Sequence, residues 1–350
     1  MSIFHKLRVK EVRRETVDAV SVSFEVPDEL ENEFRFVPGQ YITIQKNLQD
    51  SLLRRAYSIC SSPESGELRV AIKHVDKGRF SQFANKVLKE GDTLDVAGPE
   101  GRFVLEVDSN NQKDYLAIAA GSGITPVISM IKSVLQNEKE SRFILIYGSK
   151  SGEKTIFKKE LDELEAASEG RFQVQYVYSQ IISDKALFGR IDGKMVKELL
   201  KNKYTGWNFD TYFLCGPEEM IDSTKDMLLK NGINEDAVQF ELFSSTSNKK
   251  EVTKSLSGNA EICVVLDDEE TTFEMRMDEL ILDAALAKGL DAPYSCQGGV
   301  CSSCLAKVVE GKAVMERNTI LDEDEIEEGL ILTCQAHPIT STIKIDYDDV

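Results

Sequence analysis

Hydrophobic and polar residues alternate in short runs over the first third of the chain. Leu68, Val70 and Ile72 alternate with Arg69, Ala71 and Lys73, as a half-buried antiparallel strand requires. Similar runs at 7–13, 19–26, 41–45, 56–60 and 93–97 are separated by turn-forming segments such as Val37-Pro-Gly39, Glu64-Ser-Gly66, Glu90-Gly-Asp92 and Gly98-Pro-Glu-Gly101. Six strands at this spacing predict a small antiparallel β-barrel over residues 1–106. A polar break at 108–113 ends the pattern, and the period changes. Apolar runs at 115–120, 142–148, 172–178 and 211–215 alternate with helical patterns after Pro126, at 155–167, 193–201 and 218–231. Strand and helix in alternation predict a parallel α/β sheet over 110–243.

Residues 244–258 are rich in Ser, Lys and Thr without periodicity and read as an exposed linker. Beyond them, runs at 260–266 and 271–277 pair as a hairpin around Asp267-Asp-Glu-Glu270, and a helix is expected at 280–288. Strands are expected near 305–309 and 342–347. This last segment, 259–350, reads as a small α+β domain, so the chain is multidomain.

Charge changes the picture only there. The formal net charge is −18, yet residues 251–350 carry 22 Asp and Glu against 7 Lys and Arg. Acidic surfaces repel nucleic acid and attract basic protein patches; a solvated surface that aids solubility has the same composition. No run of about 18 apolar residues argues for a membrane span. The N-terminus becomes charged too early for a secretory leader. Seven cysteines without such a leader point to a reducing cytoplasm.

Cys296, Cys301 and Cys304 form a C-x4-C-x2-C run, and Cys334 follows thirty positions later. That is the plant-type spacing for a [2Fe–2S] cluster. Gly298 and Gly299 suit a loop whose amides must come close to sulfur. Zinc ribbons favour paired C-x2-C knuckles, and one such pair is present. Gly121-Ser-Gly-Ile-Thr-Pro126 joins a predicted strand to a predicted helix, where backbone N–H groups and the helix dipole meet a pyrophosphate. A glycine-rich turn without a ligand looks the same, so the motif alone leaves both readings open. Cys215-Gly216-Pro217 also follows a strand, at the sheet edge where open α/β folds bind ligands. In Arg55-Ala56-Tyr57-Ser58, an Arg for phosphate, a Tyr for a ring face and a Ser for a ring nitrogen share one strand. After the strand at 142–148, Ser149 and Lys150 lie where a 2′-phosphate would be met, with no acidic residue there to prefer a free 2′-hydroxyl. Cys60 and Cys263 read as core thiols and His5 as a surface residue. His74 has no role. His337 need not ligate, since a Rieske site needs two histidines on one iron.

In this order, R-x-Y-S, G-S-G-I-T-P, C-G-P and C-x4-C-x2-C…C resemble the ferredoxin–NADP⁺ reductase superfamily, in the form that carries a plant-type ferredoxin domain at its C-terminal end. Gln239-Phe-Glu-Leu-Phe243, Val300-Cys-Ser-Ser-Cys304 and Leu332-Thr-Cys-Gln-Ala-His-Pro338 follow the same pattern. The resemblance implies an FAD-binding β-barrel, an NAD(P)-binding α/β domain and a β-grasp ferredoxin domain. It implies that Arg55, Ala56, Tyr57 and Ser58 hold FAD, that Ile72, Lys73 and Val75 line it, and that Gly78 and Ser81 take a second phosphate contact. Phe243 would close the flavin site. Gly121, Gly123, Ile124 and Thr125 would cradle NADPH, or NADH, with Cys215, Gly216 and Pro217 beside the nicotinamide. Ser58 and Cys215 would be the catalytic side chains, and Cys296, Cys301, Cys304 and Cys334 the cluster ligands. Gln297 departs from the basic residue common at that position. The implied activity is electron transfer from NAD(P)H to an oxygenase component or another acceptor protein.

Overall fold

The computed structural model describes residues 3–48, 51–243 and 256–350. They form two compact units, one of Phe4–Phe243 and one made by the C-terminal part of the chain. Residues 244–255, most of the expected linker, lie outside the described residues.

The first unit begins with six antiparallel strands: β1 (Phe4–Thr16), β2 (Ala19–Glu25), β3 (Tyr41–Leu48), β4 (Ser51–Ser58), β5 (Leu68–Lys73) and β6 (Thr93–Glu100), in the order β4-β3-β6-β1-β2-β5. The edges meet where Ile59 bridges Val70 and the Cys60 N–H donates to the Arg69 carbonyl at 2.8 Å, which closes the barrel. Its interior is aliphatic, with Leu7, Val9, Ile42, Ile44, Ile72 and Val96 fully buried. Helix α1 (Arg79–Lys86) caps one end. The expected turn at Gly98-Pro-Glu-Gly101 is a correction. Pro99 pairs with Ile42 inside β6, beside a register shift that relieves the ladder of the missing N–H, and the chain turns only at Gly101, φ +120°.

The same unit continues as a parallel sheet of β7 (Asp114–Ala120), β8 (Arg142–Ser149), β9 (Phe172–Tyr178), β10 (Leu187–Phe188), β11 (Thr211–Gly216) and β12 (Val238–Leu242). The order is β10-β9-β8-β7-β11-β12, so it reverses between β7 and β11. Helices α2 (Ile124–Asn137), α3 (Lys158–Ala167), α4 (Gly193–Asn202) and α5 (Glu218–Lys230) accompany the sheet. Helix α3 starts three residues later than the sequence predicts. Ile156 and Phe157 are buried, and Phe157 adopts φ +58°, so core packing takes these residues out of the first turn.

The second unit is a mixed sheet, β14-β13-β19-β15-β17, from β13 (Asn259–Leu266), β14 (Glu269–Arg276), β15 (Leu305–Glu310), β17 (Leu330–Leu332) and β19 (Thr342–Asp346). A ribbon of β16 (Ala313–Met315) and β18 (Ala336–Pro338) lies outside it. Helix α6 (Ile281–Ala287) buries Ile281, Leu282, Ala284 and Ala285 in its core, and the short α7 (Glu323–Glu327) carries a capping box at Asp322 and Glu325. This is the expected β-grasp arrangement. The β13–β14 hairpin turns on Asp267 and Asp268, both at positive φ, as a two-residue turn requires. Cys263 is half-buried rather than a core thiol; its sulfur faces Glu270 at 3.8 Å.

Phe213 is fully buried on β11, edge-on to Phe103 at 5.7 Å and beside Tyr115. Phe213→Ala is expected to cost the first unit about 3–5 kcal/mol, measured by urea unfolding with Trp207 fluorescence; a loss under about 1 kcal/mol would contradict this packing.

Candidate functional site

The strand order reverses at β7 and β11, so the connections leaving their carboxyl ends diverge and open a crevice. Gly121–Gly123 form one turn of 3-10 helix after β7, and α2 follows directly. Gly121 sits at φ +59°, and its carbonyl accepts from the Tyr147 hydroxyl at 2.8 Å. Gly123 has no room for a side chain, because an ideal Cβ would lie 2.1 Å from the Cys215 carbonyl oxygen. Ile124 is fully buried, and Thr125 spends its hydroxyl on the Ser122 carbonyl at 3.0 Å. The turn therefore offers backbone to a ligand, while Ile124 and Thr125 brace it from behind.

Lys73, expected on the flavin strand, reaches this turn. Its ammonium nitrogen is 3.4 Å from where a Gly121 Cβ would lie. Burial pushes the Lys73 ammonium pKa below its ordinary value; Asp18 opposes this, and the positive charges of Lys150 and Lys154 add to it. Cations gathered at a glycine turn beside a helix N-terminus fit a pyrophosphate. Ser149, the last residue of β8, is half-buried, and Lys150 just after it is exposed. The N–H groups of Ser179 and Gln180 donate to the carbonyls of Ser149 and Lys150 at 3.0 and 3.1 Å, which sets a second loop beside the first. Sequence reasoning missed Ser179 and Gln180; their place just past β9, at the same sheet edge, was the available signal.

Cys215 lies at the end of β11, opposite Ala119 of β7 and Glu241 of β12. Burial pushes its thiol well up, and Glu241 pushes the same way. It is a neutral, fully buried SH, suited to walling a flat ring and not to nucleophilic attack. Gly216 keeps the next position narrow: a Cβ there would be 2.8 Å from the Met220 side chain and 3.2 Å from Ala120. Pro217 caps α5. From the barrel, Ser58 arrives buried, with its hydroxyl donating to Glu241 at 3.5 Å. Ser58 and Cys215 thus share Glu241 as a neighbour. Glu241 is the side chain that sequence reasoning missed; Val238, Phe240 and Leu242 alternate with Gln239 and Glu241, but five residues is a short run.

On the barrel, Arg55 is half-buried and donates to its neighbour's carbonyl, Arg54, at 2.6 Å. The Tyr57 ring lies 5.6 Å from Phe80 of α1. Burial raises its hydroxyl pKa, with Arg55 pulling it back. Ala56 pairs with Thr43 in the β3–β4 ladder. Ile72 points into the barrel core, whereas Val75 is 59% exposed. The Ser81 hydroxyl accepts from the Val75 N–H at 3.1 Å and donates to the Gly78 carbonyl at 3.0 Å. It holds the start of α1 in shape. A Cβ on Gly78 would collide with that hydroxyl at 2.5 Å. Phe243, just past β12, is partly exposed. An open edge with an arginine, a ring and a buried hydroxyl fits an isoalloxazine and its phosphates.

In the second unit the four thiols converge. Cys296 accepts hydrogen bonds from Cys301 and Cys334, and Cys334 also contacts Cys304. The Gly298 N–H adds a bond to the Cys296 sulfur at 3.3 Å. These bonds lower the Cys296 pKa, those from Cys301 and Cys334 most. The hydrogen bond to Cys296 and then burial raise that of Cys301. Cys334 goes up through its contacts with Cys296 and Cys304. The loop needs positive φ at Gln297 (+52°) and Gly299 (+69°). Thr333 ties Cys304 to the segment of Cys334, its N–H and hydroxyl donating to the Cys304 carbonyl at 3.1 and 3.0 Å. Among the described residues, no group of three or more Cys, His, Asp or Glu side chains encloses a single-ion site. The four thiols instead form a string, Cys301–Cys296–Cys334–Cys304, with two sulfurs toward either end. Two irons, each with two thiolates, fit that arrangement better than one tetrahedral zinc.

Comparison with known proteins agrees with each part. The chain matches an oxidoreductase FAD-binding domain over residues 6–105, an oxidoreductase NAD-binding domain over 117–226 and a 2Fe-2S iron-sulfur cluster binding domain over 264–338. It is 39% identical to a subunit of the 1,2-phenylacetyl-CoA epoxidase of Escherichia coli (strain K12), over 99% of both chains. It is 33% identical to the ferredoxin reductase component of the 3-ketosteroid-9-alpha-monooxygenase of Rhodococcus rhodochrous, over 97% of this chain and 96% of that one. Among solved structures, phthalate dioxygenase reductase superposes with a TM-score of 0.62 over 98% of both chains at 22% identity, a likeness of fold.

Gly123→Ala is expected to weaken NAD(P)H binding at least tenfold, measured by equilibrium titration of the oxidised protein, because the cradle must shift to admit the methyl. Unchanged affinity would place the dinucleotide elsewhere. Cys301→Ser is expected to abolish the iron–sulfur absorbance while the flavin spectrum persists; a retained cluster signal would contradict the ligand set.

Proposed function

The chain belongs to the FAD-, NAD- and [2Fe–2S]-carrying reductases that serve multicomponent oxygenases, and from that premise we propose that it supplies electrons to a di-iron oxygenase acting on an aryl-acetyl-CoA thioester, phenylacetyl-CoA foremost. The observation that carries the partner is the 39% identity to a phenylacetyl-CoA epoxidase subunit along the whole length of both chains. Residues 1–106 bind flavin, 110–243 the dinucleotide and 259–350 the cluster, with 244–258 as linker. The reducing environment that the four thiols require is the cytoplasm. No helix among the described residues is long and apolar enough to cross a membrane.

With its cofactors bound, the protein takes a hydride from NAD(P)H on FAD and passes electrons singly through the [2Fe–2S] cluster. The chain's part is to bind, orient and exclude water. Gly121 and Gly123 bring backbone amides to the pyrophosphate, and Lys73 adds a cation there. The neutral Cys215 thiol lies beside the nicotinamide, and Gly216 lets the Cys215–Pro217 turn pack closely on Ala120 and Met220. Ser58 holds a hydroxyl at the flavin edge, where it donates toward the Glu241 carboxylate. Arg55 meets flavin phosphate and Tyr57 a ring face. Cys296, Cys301, Cys304 and Cys334 hold the irons, and Phe243 shields the flavin.

Ser149 and Lys150 favour NADPH. Lys150→Ala is expected to raise KM for NADPH about five- to tenfold, the ~1 kcal/mol of one exposed phosphate contact, and to leave KM for NADH unchanged in steady-state dye reduction. Equal effects on both coenzymes would remove the 2′-phosphate from that loop. For the partner, NAD(P)H consumption coupled to acyl-CoA oxidation should be restored when the purified reductase joins a phenylacetyl-CoA epoxidase oxygenase complex. Restoration by the oxygenase of a ketosteroid system alone would reassign the acceptor.

A further inference from the structure

His337 and Glu316 form a buried ion pair or its neutral equivalent, 1% and 7% exposed by side chain, with Nε2 and Oε1 3.1 Å apart. The other ring nitrogen, Nδ1, is 2.9 Å from the Glu279 carbonyl. A carbonyl only accepts, so Nδ1 carries a hydrogen. The Nε2–Oε1 contact then needs one more proton, shared as imidazolium with carboxylate or as imidazole with carboxylic acid. Either way the pair has zero net charge. Removing that proton would leave a buried carboxylate facing a lone pair, which is costly. The charged side chain coupled to His337 from the neighbouring turn is Asp278, itself paired with Arg276.

The pair spans the β16–β18 ribbon, where Val314 is the backbone partner of His337 and the Glu316 N–H donates to the Gln335 carbonyl at 2.8 Å. Gln335 follows the ligand Cys334, and its amide donates to the Gln297 carbonyl at 3.2 Å. Beyond Glu316, the Thr319 hydroxyl donates to the Gly299 carbonyl at 2.7 Å. A Cβ on Gly299 would come within 3.1 Å of the Arg317 carbonyl and 3.0 Å of the Gln335 side chain. The residues flanking both strands of the ribbon, Gln335 before β18 and Arg317 and Thr319 after β16, thus press on the 297–299 backbone, which has to keep its positive-φ shape to point amides at sulfur.

We propose that His337 and Glu316 are positioning residues, a single-proton clamp that fixes the ribbon against the thiol-bearing loop and so sets the cluster's reduction potential and its retention. The inference rests on the [2Fe–2S] cluster occupying Cys296, Cys301, Cys304 and Cys334. Loosening the loop admits water, which favours the more negative, reduced cluster and raises its potential.

The test uses the full-length holoprotein in four forms: wild type, Glu316→Gln, Glu316→Ala and His337→Ala. Readouts are the cluster's potential by EPR-monitored titration and the rate of cluster loss to a chelator. Glu316→Gln keeps a donor for Nε2 and is expected to match wild type in both. Glu316→Ala and His337→Ala are expected to raise the potential and to lose cluster at least tenfold faster, with NAD(P)H-dependent flavin reduction unchanged. Wild-type potential and retention in both alanine variants would overturn the proposal, and so would a Glu316→Gln variant as impaired as Glu316→Ala. If the alanine variants do not fold, Glu316→Met, of similar volume but with no donor for Nε2, replaces them: a raised potential and faster cluster loss beside a wild-type-like Glu316→Gln support the clamp, and wild-type values overturn it. Absence of an iron–sulfur signal from wild type would instead strike the cluster assignment.

Discussion

Two backbone segments meet closely enough at the end of the parallel sheet to exclude a single methyl group. Gly123 packs so tightly on the Cys215 carbonyl that a Cβ would sit 2.1 Å from it, and the rest of the first unit is arranged around that approach. It holds the Gly121–Gly123 turn and the Cys215–Gly216 turn side by side where the strand order reverses. From there Cys215 is adjacent to Glu241 on β12, and Glu241 reaches Ser58 of the barrel. Barrel and parallel sheet are joined by further side-chain contacts, among them the Ser129 hydroxyl donating to the Ser61 carbonyl at 2.6 Å, the Lys132 ammonium donating to the Cys60 carbonyl at 3.0 Å and Phe103 against Phe213.

Electrostatics follow the same geometry. Lys73, Lys150 and Lys154 raise the local positive potential at the glycine turn; burial is the main cause of the lowered Lys73 pKa, and the two other lysines add to it. An anion there relieves repulsion as well as gaining hydrogen bonds, so the cations favour a bound phosphate over an empty turn. The acidic excess belongs to residues 251–350, which also carry the thiols. An acidic surface around an electron exit favours a basic patch on the acceptor and speeds encounter more than it tightens binding.

Much of this was legible in the sequence wherever chemistry demands an unusual backbone. The cysteine spacing, the glycine turn and Cys215-Gly-Pro were readable because few residue types tolerate those positions. Strong periodicity gave the strands at 68–73 and 172–178 their observed bounds. What escaped was short or tertiary. Strand β12, with Glu241, has five residues at a sheet edge, and β16 and β18 have three each, below the length at which alternation stands out. The start of α3 moved because two buried side chains outweighed helical propensity. Lys73 lay on the expected strand, yet its ammonium group faces the nucleotide turn, which spacing along one strand does not reveal. His337 looked idle beside the cysteines until burial and Glu316 gave it a partner.

In the proposed path, electrons enter at the Gly121–Cys215 crevice and leave through the thiols at 296–334. Anaerobic titration of the purified protein with NADPH, followed by optical absorbance for flavin and EPR for iron–sulfur, tests it directly. Flavin bleaching is expected to be accompanied by the EPR signal of a reduced [2Fe–2S] cluster, and this signal is expected to be missing in Cys301→Ser while bleaching persists. A wild-type protein whose flavin bleaches while its cluster stays oxidised would contradict it.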